Sequence, residues 1–504
     1  MAHRIVALDA IPIRLPRDLD AARGTAGSPT MLAGDGIYRW STAYPVLYST
    51  CFETAIIRVE LDNGLVGWGE AQAPLAPEVA CTIATLLLRP ALVGEPFDGT
   101  AQRIAELWSR MQATMHVRGQ SGGFMIDAMS GVDIALWDLA GKLADRPVSR
   151  LISEAARSAV PVYLSGTTGA SPAERAAFAA GFRDQSIGLV KLYYETDWSK
   201  LLATADALPA GMEFAVDALW HLPPAEAVTM AKMLDDRGAR WLECPLDPED
   251  VDSHARLAAA MTTPLAVGES YRTVREMQPF MPIAKILQPD LGRCGITGTL
   301  AIAAAFGGPI IPHVSIAMGP QLAAAVHVAA ALDRCPLCEF NPNVLATANA
   351  FLAKPLTLEA AAYRVPMSPG LGIDFNERFA AVTAAEKMVR WQCQRSHDSS
   401  DLIGEPRRCG PICWGAVVNC SMAAPHGKES SISRQAVLLR RFATLPGSGA
   451  TASQNSRSWP PVWWEAVMAG MRCPMCPARP TPPRSPGHCG PLPPNAARST
   501  LCPG

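Results

Sequence analysis

The chain has 504 residues, more than one compact core usually holds, and is 49% hydrophobic and 18% charged. Those proportions fit a globular, soluble protein, and a formal net charge of −2 argues against a general nucleic-acid binder. The opening MAHRIVALDAIPIRLPRD lacks the long apolar core of a signal peptide, and no uninterrupted apolar run reaches the length of a membrane span. A cytoplasmic protein with no membrane partner is expected.

The strand VPVYLSG (160–166) opens a series. Short apolar runs follow, each ending on a polar, reactive residue: GLVK on Lys191, MEFAVD on Asp217, RWLE on Glu243, PLAVGE on Glu269, AKILQPD on Asp290, PIIPH on His313 and CPLCE on Glu339. The spacings are 26, 26, 26, 21, 23 and 26 residues. Between the runs lie Ala-rich stretches. PPAEAVTMAKMLDDRG (223–238) has apolar residues at helical spacing and a Gly stop, and SHARLAAAM and TGTLAIAAAFGG share its texture. Strand, loop and helix repeated at this period predict a parallel (β/α) barrel of eight strands. A buried strand that ends on a carboxylate, as RWLE does, costs free energy unless something binds that carboxylate. In a barrel the C-terminal strand ends converge on one mouth, so the seven residues would share a polar pocket. Any one acid alone could instead cap the following helix or turn; seven in succession favour the pocket.

The residue types then suggest a chemistry. Asp217, Glu243 and Glu269 lie on three successive strands, and carboxylates in one pocket repel unless a cation joins them. All-oxygen ligands favour a hard ion, Mg²⁺ first and Mn²⁺ possible. Such an ion holds a substrate carboxylate and stabilises the charge left when the α-carbon loses a proton. Across the barrel, His313 is a suitable base near neutral pH and Asp290 can fix its tautomer; otherwise His313 is a structural histidine. Lys191 and Tyr193 alternate on one strand, so both should point inward, and Lys191 can offset enolate charge. Glu339 can brace the substrate carboxylate, or else serve as a capping or turn acid.

This arrangement closely resembles the enolase superfamily, and within it the mandelate racemase group, over roughly residues 3–380. NGLVGWGEAQAP (63–74) and MSGVDIALWDLAGK (129–142) look like that group's capping domain and its entry into the barrel. QPDLGRCG (288–295), IPHVS (311–315) and VPMSPGLGIDF (365–375) follow in order at fitting spacing. The resemblance implies a modified (β/α)7β barrel with an α+β capping domain: 1–125 as the first part of the cap, 126–355 as the barrel, and 356–385 returning to the cap. It implies that the stretch 17–47 and the region after Glu70 close over the mouth and set specificity, and that the protein is a homo-oligomer. It carries metal binding onto Asp217, Glu243 and Glu269, the His–Asp dyad onto His313 and Asp290, and substrate-carboxylate contact onto Glu339. Two positions depart from the pattern. A K-x-K is common on the second barrel strand, where this chain has Lys191-Leu-Tyr193. An Asn is common two residues after the first metal acid, where this chain has Leu219.

Racemisation needs a base on each face of the α-carbon, and a phenol titrates near pH 10 unless perturbed, which makes Tyr193 a poor second base. Dehydration needs one abstraction and one acid. His313 could remove the α-proton, and His313 or Tyr193 could protonate the departing β-hydroxyl. The expected activity is Mg²⁺-dependent dehydration of a sugar acid, an aldonate or aldarate, to a 2-keto-3-deoxy acid. The alternatives are a racemase, epimerase or lactone cycloisomerase on the same scaffold. From another class, the chain could be a non-catalytic product or an interaction protein using an Arg-rich tail.

That tail begins near residue 390. Residues 391–504 hold 12 Lys+Arg, eleven of them Arg, against 5 Asp+Glu, whereas the preceding chain holds 32 against 41. The near-neutral total thus hides an acidic body and a basic tail. Pro, Cys, Trp and Ser abound there and apolar periodicity is nearly absent, a texture that a GC-rich gene read in the wrong frame would give. A non-native, largely disordered extension is expected; an Arg-rich arm for nucleic acid or a partner is the alternative. Six of the 14 cysteines precede residue 390 and read as reduced thiols. Cys335/Cys338 and Cys473/Cys476 have C-x-x-C spacing, but they lie 138 residues apart without supporting histidines, so free thiols are expected rather than zinc.

Overall fold

The computed structural model describes residues 2–16, 32–42, 46–220 and 222–383. The tail 391–504, with Cys473 and Cys476, and much of the stretch 17–47 lie outside the described residues.

The N-terminal part is a sheet packed on a helix. Strands β1 (His3–Pro16), β2 (Cys51–Leu61) and β3 (Val66–Ala71) pair antiparallel in the order β3-β2-β1, and Pro96–Phe97 extends the β1 edge. Helix α1 (Gly123–Leu143) lies across them, buried without a break from Met125 to Gly141. A helix buried all round must meet partners on every face. The approach to β3 is close enough that a Cβ on Gly69 would clash with the carbonyl oxygen of Gly131. The polar groups of α1 are matched in turn: Asp138 accepts from the backbone N–H of Trp68 and of Leu371 and from Lys142. Two short segments, 32–42 and the stretch after Glu70, meet where the backbone N–H of Ala76 donates to the Tyr38 hydroxyl at 2.8 Å.

Six barrel strands then pair in parallel in chain order: β4 (Ala159–Ser165), β5 (Leu189–Tyr193), β6 (Glu213–Asp217), β7 (Leu242–Glu243), β8 (Leu265–Val267) and β9 (Ile286–Leu287). The seventh segment, 310–313, joins β9 through the bridges Leu287–Ile310 and Asp290–His313. The eighth, β10 (Cys338–Phe340), pairs in parallel with β4. Helices fill the crossovers, among them α2 (Leu291–Ala305) and α3 (Pro320–Ala331). α2 packs against α1, so the barrel and the N-terminal sheet share one continuous apolar core.

The barrel interior has two layers. Tyr163, Leu189, Ala215, Trp241, Ala266, Ile286 and Ile311, one from each of the first seven segments, form a buried apolar ring with Leu337 against it. Side chains on a strand repeat on the same face every second residue. Two residues beyond that ring stand Ser165, Lys191, Asp217, Glu243, Gly268, Gln288, His313 and Glu339, a polar ring at the strand ends. On β8 alone the step lands on a glycine. Gly268 has φ 159, and a Cβ there would lie 2.4 Å from the Gln288 nitrogen. The acid of that strand is the next residue, Glu269.

After β10 the chain forms the helix Pro342–Phe351 and a hairpin, Leu358–Glu359 with Ala362–Arg364, whose second strand pairs antiparallel with the start of β4. It then returns to the N-terminal sheet, where Phe375 and Phe379 meet Trp68 edge-on, ring centres 5.0 and 5.6 Å away. Cys335 and Cys338 are buried free thiols.

Candidate active site

The seven residues singled out by the spacing, and Tyr193 with them, come together at the C-terminal end of the barrel. The seven fall into two sets of ion pairs, one of His313 with Glu269 and Asp290 and a larger one of Lys191 with Asp217, Glu243 and Glu339. Lys191 is the centre of the larger set. Its Nζ lies 2.5 Å from Glu243 Oε1, 2.9 Å from Glu339 Oε1 and 3.6 Å from Asp217 Oδ2, with the side chain fully buried. Burial alone would depress this ammonium; Glu243 and Glu339 outweigh it and hold it well above the usual lysine value. Such a cation is tolerated inside only because it is paired, and removing one partner of a buried pair costs roughly 3–5 kcal/mol.

Glu243 Oε2 accepts from Trp241 Nε1 at 2.9 Å and from Gln288 Nε2 at 2.7 Å. This answers how a buried strand can end on a carboxylate: three donors meet it. Asp217 accepts from the Leu219 backbone N–H at 3.0 Å. Burial first, then the charges of Glu243 and Glu269, push its carboxyl well above the ordinary range. Glu339 Oε2 accepts from the Val314 N–H at 2.8 Å and Oε1 from Ser165 Oγ at 2.5 Å. It does not cap the helix that follows, since Asn341 does. Burial raises the Glu339 carboxyl, but Lys191 and His313 overcome this and hold it below its usual value.

His313 bridges two acids. Nδ1 lies 2.7 Å from Asp290 Oδ2 and Nε2 lies 2.7 Å from Glu269 Oε2. A carboxylate only accepts, so both nitrogens carry hydrogen in this arrangement. Burial would lower the imidazole; Glu269, Glu339 and Asp290 raise it well above its ordinary value. Glu269 is the open member of the set, its side chain 18% exposed. Burial is outweighed there by His313, Lys191 and the Trp220 indole, which hold its carboxyl far below the usual range. Asp290 lies three residues beyond β9 and accepts from the Gly292 N–H at 2.8 Å at the start of α2. The capping role and the contact with His313 therefore fall on one side chain, through different oxygens.

Tyr193 stands apart from the acids. Its hydroxyl pairs with Ser165 Oγ at 2.8 Å, and Lys191 Nζ lies 5.7 Å from its ring centre. Burial and then the charges of Glu339 and Asp217 push the phenol above its usual value, against Lys191.

The family models described as "Mandelate racemase / muconate lactonizing enzyme, N-terminal domain" and "Enolase C-terminal domain-like" match residues 46–153 and 170–379. The chain belongs to the mandelate racemase group of the enolase superfamily. It is an enzyme with that superfamily's capping sheet and modified barrel. The D-galactarolactone cycloisomerase of Agrobacterium fabrum is 29% identical over 343 residues, 64% of this chain and 88% of that protein. The D-galactonate dehydratase of Ralstonia pickettii is 29% identical over 349 residues, with the same two coverages. A solved putative isomerase from Sinorhizobium meliloti superposes with a TM-score of 0.69 at 31% identity, covering 75% of this chain and 99% of that one. No helix among the described residues of this superfamily member is long and apolar enough to cross a membrane.

Sequence reasoning passed over several side chains that complete the site. Trp241 and Gln288 donate to Glu243, and Ser165 joins Tyr193 to Glu339. A strict count of two from the apolar ring would have found Gln288 and Ser165. Trp241 sits two residues before Glu243, on the same strand face. Trp220 could not be found that way. Leu219 and Trp220 both adopt left-handed backbone, φ 55 and 65, and this turn brings the Trp220 indole to Glu269 Oε1 at 2.6 Å. Non-glycine residues take that conformation at a cost of about 1 kcal/mol or more each, which local sequence does not advertise.

Proposed function

We propose that this enzyme dehydrates a sugar acid, an aldonate or aldarate, in a Mg²⁺-dependent reaction that begins with loss of the α-proton and yields a 2-keto-3-deoxy acid. The asymmetry of the polar ring carries the reading. One His–Asp pair can exchange a proton with substrate, whereas Lys191 is bound by acids and Tyr193 stands half-buried near their charges, a setting that penalises phenolate. One base suits dehydration better than racemisation. Relatives at 29% identity named for galactonate, arabinonate and xylonate dehydration support the substrate class.

Asp217, Glu243 and Glu269 are the proposed ligands of the ion. An all-oxygen donor set on adjoining strand ends fits Mg²⁺. Burial first, and then the charges of Glu243 and Glu269, raise the Asp217 carboxyl, and a cation would offset the second of these. As folded, Lys191 stands between Asp217 and Glu243 and His313 stands against Glu269, so no three such side chains among the described residues close on one ion position. When bound, the ion supplies a hold on the substrate carboxylate and offsets the charge of the enediolate. To act as base, His313 parts from Glu269 and gives up the Nε2 hydrogen, then takes the α-proton at Nε2 while Asp290 keeps hydrogen on Nδ1. Lys191 offsets developing charge, Glu339 braces the carboxylate, and His313 or Tyr193 returns a proton to the departing hydroxyl. On the same reading, 1–125 with 356–385 form the cap and 126–355 the catalytic barrel, and the segments near Tyr38 and after Glu70 select the substrate.

The test is a screen of aldonates and aldarates for 2-keto acid formation with and without Mg²⁺. Glu243→Gln should abolish turnover and weaken Mg²⁺ binding by calorimetry while the circular dichroism spectrum persists; unchanged Mg²⁺ affinity would remove Glu243 from the ligand set. Lactone cycloisomerisation is the second reading, supported by the galactarolactone cycloisomerase relative and needing the same single base. Isomerisation of a lactone at unchanged mass, with no keto acid from any open-chain acid, would select it.

A further inference from the structure

We infer that Gln321, held in place by Glu70 of the capping sheet, is a positioning residue for the His313–Asp290 dyad. The inference rests on the proposed role of His313 as base. Glu70 lies at the end of β3, fully buried. Its carboxylate accepts from the Thr54 hydroxyl at 2.9 Å, the Met318 N–H at 2.6 Å and the Gln321 N–H at 3.1 Å. Two of those donors belong to the loop and first turn of α3, the segment that follows His313. A capping-sheet residue therefore fixes where α3 begins.

Gln321, also fully buried, uses that fixed start to reach the end of the neighbouring strand. Its Nε2 donates to Asp290 Oδ1 at 3.0 Å, beside the Gly292 N–H at 2.8 Å on the same oxygen. With Oδ1 held from two directions, the carboxylate plane cannot turn, and Oδ2 is left facing His313 Nδ1 at 2.7 Å. The residue just past the same capping strand secures the other donor. The Gln72 N–H donates to the Gly292 carbonyl at 2.9 Å, and Arg293 Nε donates to Gln72 Oε1 at 2.7 Å. Residues 70 and 72 thus grip both supports of Asp290. A carboxylate that orients an imidazole must itself be oriented, and loss of such an outer partner typically lowers activity by about 10–100-fold.

The experiment uses the full chain, ¹⁵N-histidine labelled. Gln321→Met keeps the volume and removes the amide donor; Gln321→Asn keeps an amide that is too short to reach. The downfield proton resonance of His313 Nδ1–H, assigned by its absence in His313→Asn, should weaken or move in both variants. With a substrate found by the acid screen, kcat should fall about 10–100-fold and KM should stay within a factor of about two. Exchange of the α-proton in D₂O should slow in parallel with kcat. An unchanged resonance and unchanged kcat in both variants would overturn the inference. So would kcat, KM and melting temperature all falling together, the pattern of a purely structural glutamine. If the wild type turns over no sugar acid, the proposed function fails on its own, and the imidazole resonance still decides whether Gln321 acts on the dyad.

Discussion

His313 meets two acids that are held to very different degrees. Asp290 is anchored through its second oxygen by Gly292 and Gln321, whereas the second oxygen of Glu269 has the Trp220 indole and the side chain opens to solvent. Nδ1 is therefore the fixed nitrogen and Nε2 the one free to change partners. If Nε2 takes the α-proton, His313→Asn should lose turnover and α-proton exchange with D₂O together, by the 10²–10⁴-fold or so that a general base supplies. Tyr193→Phe should keep exchange and slow departure of the hydroxyl if the phenol is the acid. Exchange retained in His313→Asn and lost in Tyr193→Phe, followed by NMR, would reverse the two roles. Glu269, Asp290 and His313 could be read from the chain because each ends an apolar run. Trp220 could not, since its place depends on two left-handed residues whose reason is the Cys244 carbonyl on the next strand, which accepts the Trp220 N–H at 2.7 Å.

At the level of the strand, period and barrel were legible because every strand repeats one instruction: an apolar residue, then two positions later a polar one. The fifth strand departs from it, and the departure is instructive. Gly268 takes the ring position because the neighbouring strand runs against it, leaving 2.4 Å between a notional Cβ and the Gln288 nitrogen. Gly268→Ala should destabilise the fold by about 2–4 kcal/mol, combining a backbone clash with φ 159. It should also shift Gln288 off Glu243, so that Mg²⁺ affinity falls along with the urea midpoint. A midpoint and affinity equal to wild type would show that β8 and β9 can part without consequence. Nothing in the string PLAVGE distinguishes this glycine from a simple turn; the constraint lies in a strand twenty residues away.

Across the whole molecule, the apolar core runs unbroken from the capping sheet through α1 into the barrel, and Phe375 and Phe379 seal the sheet on Trp68. The family matches end at residue 379, and three quarters of this chain covers 99% of the Sinorhizobium meliloti protein. A chain cut after residue 390 should therefore keep its melting temperature within a few degrees and retain whatever turnover the full chain has. A drop of many degrees in thermal unfolding would make the Arg-rich tail part of the folded body. Salt-sensitive binding of nucleic acid by the full chain but not by the cut one would instead assign the tail a partner.

The two stacked rings have a further consequence. The lower ring closes the barrel with buried tyrosine, tryptophan and aliphatic side chains, and Tyr163 and Trp241 interlock edge to face at 5.1 Å. The upper ring adds no apolar closure, and coheres through the pairing of Lys191 with its acids. Chemistry and apolar closure are thus written on alternate residues of the same strands. Tyr193 and Leu219 lie two residues further on again, beyond the upper ring and clear of the lower one. The apolar closure is in this sense separate from the reaction, and a new substrate or a new proton donor could be acquired at the strand ends provided that the charge of Lys191 stays paired.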